Sequence, residues 1–252
     1  LLDGTAAAIL VGRIEPTHLL HLAWYVEPGL FWSSSQNLQW VGASIELVRA
    51  FFAGTGKRAV LAGTCAEYDW AFGRCSEVAT PLAPNTLYGA CKHAVQVAVD
   101  AYARERSLSI AWGRIFFLYG PHEPAERLVP SVIRAVLGGE SARCSHGQQV
   151  RDFLHIADAG SAFVATLDSE VDGAVNLASG TPVTIEHLVR SIAAQSGRED
   201  LLDLGALPAR LGDPMVLTAD VDRLFNEVGW RPAYTLDRGI KATLDWWREQ
   251  LP

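Results

Sequence analysis

Short apolar runs that alternate with helix-patterned segments predict an α/β protein built on a parallel sheet. Three runs carry the strand signal: HLLHLA (18–23), RAVLAG (58–63) and SIAWGRIFFL (109–118). Between the first two, Leu38, Val41, Ile45, Val48 and Phe52 recur three or four residues apart, the spacing of one helix face. The third observation is where the polar and aromatic residues fall. In open α/β sheets ligands sit beyond the carboxyl ends of the strands. Those ends here are Leu22-Ala23-Trp24, Gly63-Thr64-Cys65 and Phe117-Leu118-Tyr119.

Taken in order, strand 18–23 follows the Pro16 break, and the helix over 37–52 follows a short Ser33-Ser34-Ser35 approach. Strand 58–63 comes next, then a helix over 87–104, then a single strand over 109–118 that Gly120-Pro121 ends. A helix is predicted over 128–137. Asp158 is the expected N-cap of a helix over 159–167. A short strand at 174–177 precedes a helix over 184–196 that Gly197 stops. Helices over 220–227 and 236–248 complete the reading. No repeats or low-complexity tracts occur.

The chain has 252 residues, 49% hydrophobic and 19% charged, enough for a sizeable core in one or two domains. A net charge of −7 without any Lys/Arg run argues against nucleic acid or an anionic membrane as partner. No apolar stretch approaches the roughly 20 residues of a membrane span, and Arg114 interrupts the longest candidate. Cys65, Cys75, Cys91 and Cys144 form no C-x-x-C pair, which argues against a metal site or a disulfide scaffold. With no signal-peptide pattern, a reducing cytoplasm is the expected compartment.

Tyr88 and Lys92 form the most informative pair. A spacing of four puts phenol and ammonium on one helix face. A free tyrosine titrates near 10, and a cation within about 4–6 Å lowers such a value by about 1–3 units. Such a pair suits proton transfer to and from a hydroxyl whose carbon exchanges a hydride. Thr64, a hydroxyl at a strand end, makes this a constellation rather than a lone Y-x-x-x-K.

With these residues in view, the sequence resembles the extended short-chain dehydrogenase/reductase family, in particular its nucleotide-sugar epimerases, dehydratases and 4-ketoreductases. The blocks carrying the resemblance are HLLHLAW (18–24), AGTCAEYDW (62–70), TPLAPNTLYGACK (80–92), RIFFLYGPHE (114–123), RDFLHIADAGSAF (151–163) and RLGDP (210–214). The resemblance implies a Rossmann-like, doubly wound parallel sheet lacking its first strands, over residues 1–121 and 149–180. It implies a smaller, discontinuous substrate-binding domain over 122–148 and 181–252.

It also implies roles. Thr64, Tyr88 and Lys92 are the expected catalytic residues, with Tyr88 as acid/base and Lys92 holding a nicotinamide ribose and lowering the Tyr88 pKa. NAD or NADP is the implied cofactor, met by Leu22, Ala23, Trp24, Gln39, Tyr88, Lys92, Ile115 and Leu118. A nucleoside-diphosphate sugar is the implied substrate, met by Thr64, Cys65, Phe117, Arg127, Leu128, Arg151, Arg210 and Asp213. A homodimer is implied, packed through helices 37–52 and 87–104.

The departures from the family narrow the expectation. Dehydratases carry an acidic pair after the catalytic Thr; here those positions hold Cys65 and Ala66. Glu67, one residue on, is expected to point elsewhere. Gln39 and Trp40 stand where an asparagine near the ribose is usual, with Asn37 out of register. Arg114, His18, His21 and His155 read as structural.

The family's opening G-x-x-G-x-x-G turn, which holds a pyrophosphate at a helix N-terminus, is not in the sequence. The opening from Leu1 therefore reads as a piece missing roughly 60 residues, about two βαβ units. The expected activity is NAD(P)-dependent 4-ketoreduction or epimerisation of a nucleotide sugar. Two alternatives remain. One is a binding protein or incompetent fragment with weak or no dinucleotide affinity. The other is an alcohol or steroid dehydrogenase of the same extended family.

Overall fold

The structure is a computed structural model and describes residues 1–209 and 212–251. Arg210 lies outside the described residues. In chain order the elements are α1 (Gly4–Ile14), β1 (His18–His21), α2 (Gln36–Ala53), β2 (Arg58–Thr64), β3 (Arg74–Cys75), α3 (Leu87–Arg106), β4 (Ser109–Ile115) and β5 (Phe117–Tyr119). Then follow α4 (Leu128–Gly138), β6 (Ala142–Cys144), β7 (Val150–Arg151), β8 (Phe153–His155), α5 (Ile156–Asp168), β9 (Gly173–Leu177) and β10 (Val183–Thr184). The last are α6 (Ile185–Ser196), β11 (Leu202–Leu204), β12 (Val216–Ala219) and α7 (Leu236–Gln250).

The central sheet runs β1-β2-β4-β9, with every neighbour parallel. Its β2 is buried along its whole length, as a strand covered on both faces must be. Successive side chains alternate between two cores. Ala59 and Leu61 pack with Val48 and Phe51 of α2 and Val95 and Val99 of α3. Val60 and Ala62 face Ala159, Ala162 and Phe163 of α5. Helices thus cover both faces, the Rossmann-like arrangement that the resemblance implies. Among the described residues, β1 is hydrogen-bonded to β2 alone.

A separate core joins α4, α6 and α7 through Val132, Ile133, Val136, Leu188, Ile192, Ile240 and Leu244. It draws on both segments assigned to a substrate-binding domain. The boundary at 181 is nevertheless too simple. Leu217, Ala219, Val221, Leu224 and Trp230 pack into the sheet-side core, and β12 pairs with β3 and β7.

Three local expectations are corrected. The single strand over 109–118 is two strands, broken at Phe116. There the backbone leaves the central sheet: Phe116 N–H bonds Leu177 O, whereas Phe117 N–H bonds Asp152 O and β5 pairs with β8. Asp158 does not cap α5. His155 does, accepting from Ala157 N–H through Nδ1, while the buried Asp158 carboxylate accepts from Ala233 and Tyr234 N–H. The helix expected over 220–227 is only a five-residue π-turn, Arg223–Glu227.

Candidate active site

The site forms where β2 ends and α3 begins. Thr64 is the last residue of β2 and caps the 3-10 turn Cys65–Glu67. Thr86 caps α3, accepting from Gly89 N–H, and so sets the phase that brings Tyr88 and Lys92 inward on one face. Both are buried: Tyr88 is 9% and Lys92 4% exposed. Gly89 permits the close approach. A Cβ there would run into the Ala66 carbonyl oxygen and lie 3.0 Å from Pro84 Cβ.

The Thr64 side chain stands near enough to the Tyr88 phenol to favour its ionised form, against burial. Lys92 Nζ donates to Ala62 O at 2.8 Å and lies 4.1 Å from the centroid of the Trp24 ring. An ammonium has three donors, so after Ala62 O two N–H bonds remain for a hydroxylated ligand. Trp24 is pinned in turn, its Nε1 donating to Asn37 Oδ1 at 2.7 Å. The donor set on this side therefore suits a ribose, while the chain carries no glycine-rich turn for a pyrophosphate.

Asn37 is the residue whose register the sequence reading missed. It is fully buried on α2 and also donates to Phe31 O and Ser34 O. Gln39, expected at this point, is exposed on another face of the helix, and Leu38 is 60% exposed. The buried face of α2 is Asn37, Ser44, Leu47, Val48 and Phe51. Reading the helix from Asn37 and Ser44, seven residues apart, would have found it.

Aromatic residues also surround the phenol. Phe31 and Trp32 meet the Tyr88 ring edge to face at centroid distances of 4.9 and 5.7 Å, and Trp70 stands 6.3 Å from Trp32. Trp32 O accepts the Tyr88 N–H at 3.1 Å. The segment 28–34 thus lies over Tyr88, which no local pattern in 84–92 reveals.

This enclosure overturns one electrostatic expectation. Lys92 was expected to depress the Tyr88 pKa, but burial pushes the phenol above its ordinary value, and the Thr64 side chain offsets only part of that. Burial also pulls the Lys92 ammonium down to about 7, against the charge of Glu67. The phenol is accordingly a proton donor at neutral pH. An unfolded lysine holds its proton to 10.5. Between pH 7 and 10.5 the unfolded chain binds the extra proton, so this group adds stability as pH rises through that window and adds none below it. Lys92→Met is expected to flatten the rise. Urea midpoints at mildly acidic and mildly alkaline pH measure it, and an unchanged slope would count against a neutral buried lysine.

The remaining expected residues divide into four groups. Ala23, Ile115, Phe117, Leu118 and Leu128 are half-buried near the strand ends, and Leu22 is exposed. Cys65 is buried beside Thr64; burial pushes its thiol up to about 12, while the Arg151 charge opposes this. Arg127 pairs with Glu123 at 2.9 Å, and its charge reaches the Tyr88 phenol. Arg151 and Asp213, each expected to meet substrate, instead pair with each other at 2.7 Å, with the guanidinium over the Phe117 ring. A guanidinium only 2% exposed requires such a counter-charge.

Among the described residues no cluster of His, Cys, Asp and Glu suits a metal ion, and no helix is long and apolar enough to cross a membrane.

A parallel sheet wound on both faces, with Thr, Tyr and Lys at the end of β2, defines a Rossmann-type short-chain dehydrogenase/reductase. The profile of the NAD dependent epimerase/dehydratase family matches residues 1–178, and the chain belongs to that family. It is 30% identical over 178 residues to the dTDP-glucose 4,6-dehydratase of Xanthomonas campestris pv. campestris, a match covering 67% of this chain and 51% of that enzyme. It is 26% identical over 265 residues to the UDP-glucose 4-epimerase of Rhizobium meliloti, covering 94% and 79%.

Among solved structures, MoeE5 in complex with UDP-glucuronic acid and NAD superposes with a TM-score of 0.84 at 27% identity, over 99% of this chain and 84% of that one. The UDP-N-acetylglucosamine 4-epimerase of Methanobrevibacter ruminantium shares the fold at a TM-score of 0.89 and 22% identity, over 99% and 82%. The first of these relatives is matched over about half its length.

Proposed function

We propose that the protein is an NAD-dependent nucleotide-sugar 4-epimerase or 4-ketoreductase. The observation that carries this reading is the buried Thr64–Tyr88–Lys92 cluster, followed by two residues, Cys65 and Ala66, that carry no carboxylate. NAD or NADP, when bound, supplies the hydride exchange at the sugar carbon. Tyr88 donates its phenolic proton to the sugar oxygen in the reducing direction and takes it back in the oxidising one. Thr64 hydrogen-bonds that oxygen, and Lys92 offers the N–H donors that Ala62 O leaves free to the nicotinamide ribose.

Elimination of water from the sugar needs a second acid/base pair beside the catalytic threonine. Here Cys65 keeps its proton, Ala66 has no polar atom, and the Glu67 carboxylate is fully buried and engaged by Thr64 N–H, Trp112 and Arg114. The substrate phosphates would meet Arg151 once Asp213 is displaced from it, with Arg127 as a second cation. A homodimer packed through α2 and α3 belongs to the same reading.

The test incubates the chain with NAD and, separately, UDP-glucose, UDP-galactose or dTDP-glucose. Absorbance at 340 nm and proton NMR of the sugar follow the outcome. C4 epimerisation or C4 redox exchange is the expected product. A 4-keto-6-deoxy sugar would overturn the assignment against dehydration. A second reading keeps the family fold without turnover. No calorimetric affinity for NAD, together with no conversion of any of the three sugars, would select it.

A further inference from the structure

Glu67 takes no part in the proton path proposed for this site, yet it is the most completely enclosed carboxylate near it, with no exposed surface. Its Oε1 accepts the Thr64 backbone N–H at 2.8 Å and the Trp112 Nε1–H at 3.0 Å. Its Oε2 accepts Arg114 Nε–H at 2.8 Å. Arg114 is itself 1% exposed and donates onward to Tyr68 Oη at 2.9 Å and Gln96 Oε1 at 2.7 Å. Tyr68 donates to Asn176 Oδ1 on β9. One carboxylate is thereby anchored to β4, to β9 and to α3, where Gln96 lies one turn beyond Lys92.

The geometry of the turn explains what this anchoring does. Thr64 Oγ1 accepts Ala66 N–H at 3.2 Å, while Glu67 reaches back to the Thr64 N–H, so the two side chains cap the turn reciprocally. The sequence makes room for the arrangement at Gly63. A Cβ there would collide with Trp112 Nε1 and approach Glu67 Oε1 to 2.8 Å. The Thr64 backbone is therefore held from the buried side by a charged hydrogen bond, beside the hydroxyl that acts on the Tyr88 phenol.

We propose that Glu67 is the positioning residue of this site: held by Arg114 and Trp112, it fixes the Thr64 backbone and so aims the Thr64 hydroxyl at the Tyr88 phenol and the sugar oxygen. The role rests on the function proposed above and goes beyond it, because Glu67 acts only through Thr64. The carboxylate is also fixed in its own place by charge. Leaving the buried guanidinium without a partner would be costly, so the anchor does not swing out to solvent.

Two substitutions separate reach from charge. Glu67→Asp keeps the charge and withdraws the oxygens by one methylene; Glu67→Gln keeps the length and an acceptor oxygen but gives up the charge. For Glu67→Asp, kcat is expected to fall at least about tenfold with KM within about twofold, since misplacement by about 1 Å can cost about a hundredfold. The Thr64 amide should exchange its hydrogen at least about tenfold faster, with Leu61 and Ala62 amides unchanged. Glu67→Gln should retain a protected Thr64 amide and a higher kcat than Glu67→Asp, despite lower stability.

Full kcat or a protected Thr64 amide in folded Glu67→Asp would overturn the role. Should neither variant fold, Trp112→Phe removes one anchor alone: a lower kcat at constant KM supports the role, and an unchanged kcat overturns it. Thr64→Ala distinguishes the two levels. A fully active Thr64→Ala removes the proposed function, whereas an impaired Thr64→Ala beside a fully active Glu67→Asp removes only the role of Glu67. The amide readout stands even if no sugar nucleotide is turned over.

Discussion

Tyr88→Phe is expected to lower hydride-linked turnover by about 10²–10⁴-fold, the usual contribution of a positioned acid or base. The effect should fall on kcat, because the ring remains in place. Phe31 and Trp32 pack edge to face with the ring, a contact that a phenylalanine keeps. The polar neighbour that acts on the hydroxyl is the Thr64 side chain. Loss of the hydroxyl should change stability by only about 1 kcal/mol. Single-turnover absorbance at 340 nm, together with a urea unfolding curve, separates the two quantities. A variant that folds normally and keeps full turnover would exclude the phenol as the acid.

The same burial bears on the direction in which the proposed acid would work. Burial keeps it protonated, so donation to a carbonyl oxygen needs no prior ionisation. Oxidation of a sugar hydroxyl requires the proton to be accepted, and a phenolate is disfavoured in this enclosure. Under the proposed function, reduction of a keto-sugar would be the direction that needs no prior ionisation of the phenol.

Arg114→Leu is expected to cost about 3–5 kcal/mol of stability, the range for removing one partner of a buried ion pair. The substitution leaves the Glu67 carboxylate enclosed and without its cation, and it strips Tyr68 and Gln96 of a donor. Urea denaturation gives the loss directly. The double variant Glu67→Gln, Arg114→Leu should recover part of it, since no buried charge then remains. A loss below about 1 kcal/mol for Arg114→Leu would mean that water or another cation reaches Glu67, against the complete burial seen.

Much of this molecule is written locally. The alternation of apolar runs with helical periodicity specifies the parallel sheet, because strand and helix periods depend on neighbours a few residues apart. The spacing of four that places Tyr88 and Lys92 on one face of α3 is equally local. Thr64 follows from the end of its strand, and the absence of acidic residues at 65 and 66 needs no coordinates. Pairing and protonation belong to another level. The partner of Lys92 Nζ is a carbonyl 30 residues earlier, and Arg151 meets Asp213 across 62 residues.

The break at Phe116 arises from competition between two sheets for one backbone. The buried register of α2 depends on what Trp24 and the 31–34 segment require of Asn37. The Tyr88 pKa, expected below its ordinary value from Lys92 alone, is raised because Phe31 and Trp32 exclude water from above. The sequence by itself determined the α/β architecture through short-range periodicity, and offered Thr64, Tyr88 and Lys92 as the candidate proton-handling residues through their spacing and the family resemblance. Only the tertiary structure decided their charge states and partners, because desolvation and hydrogen bonding depend on which distant segments close over them.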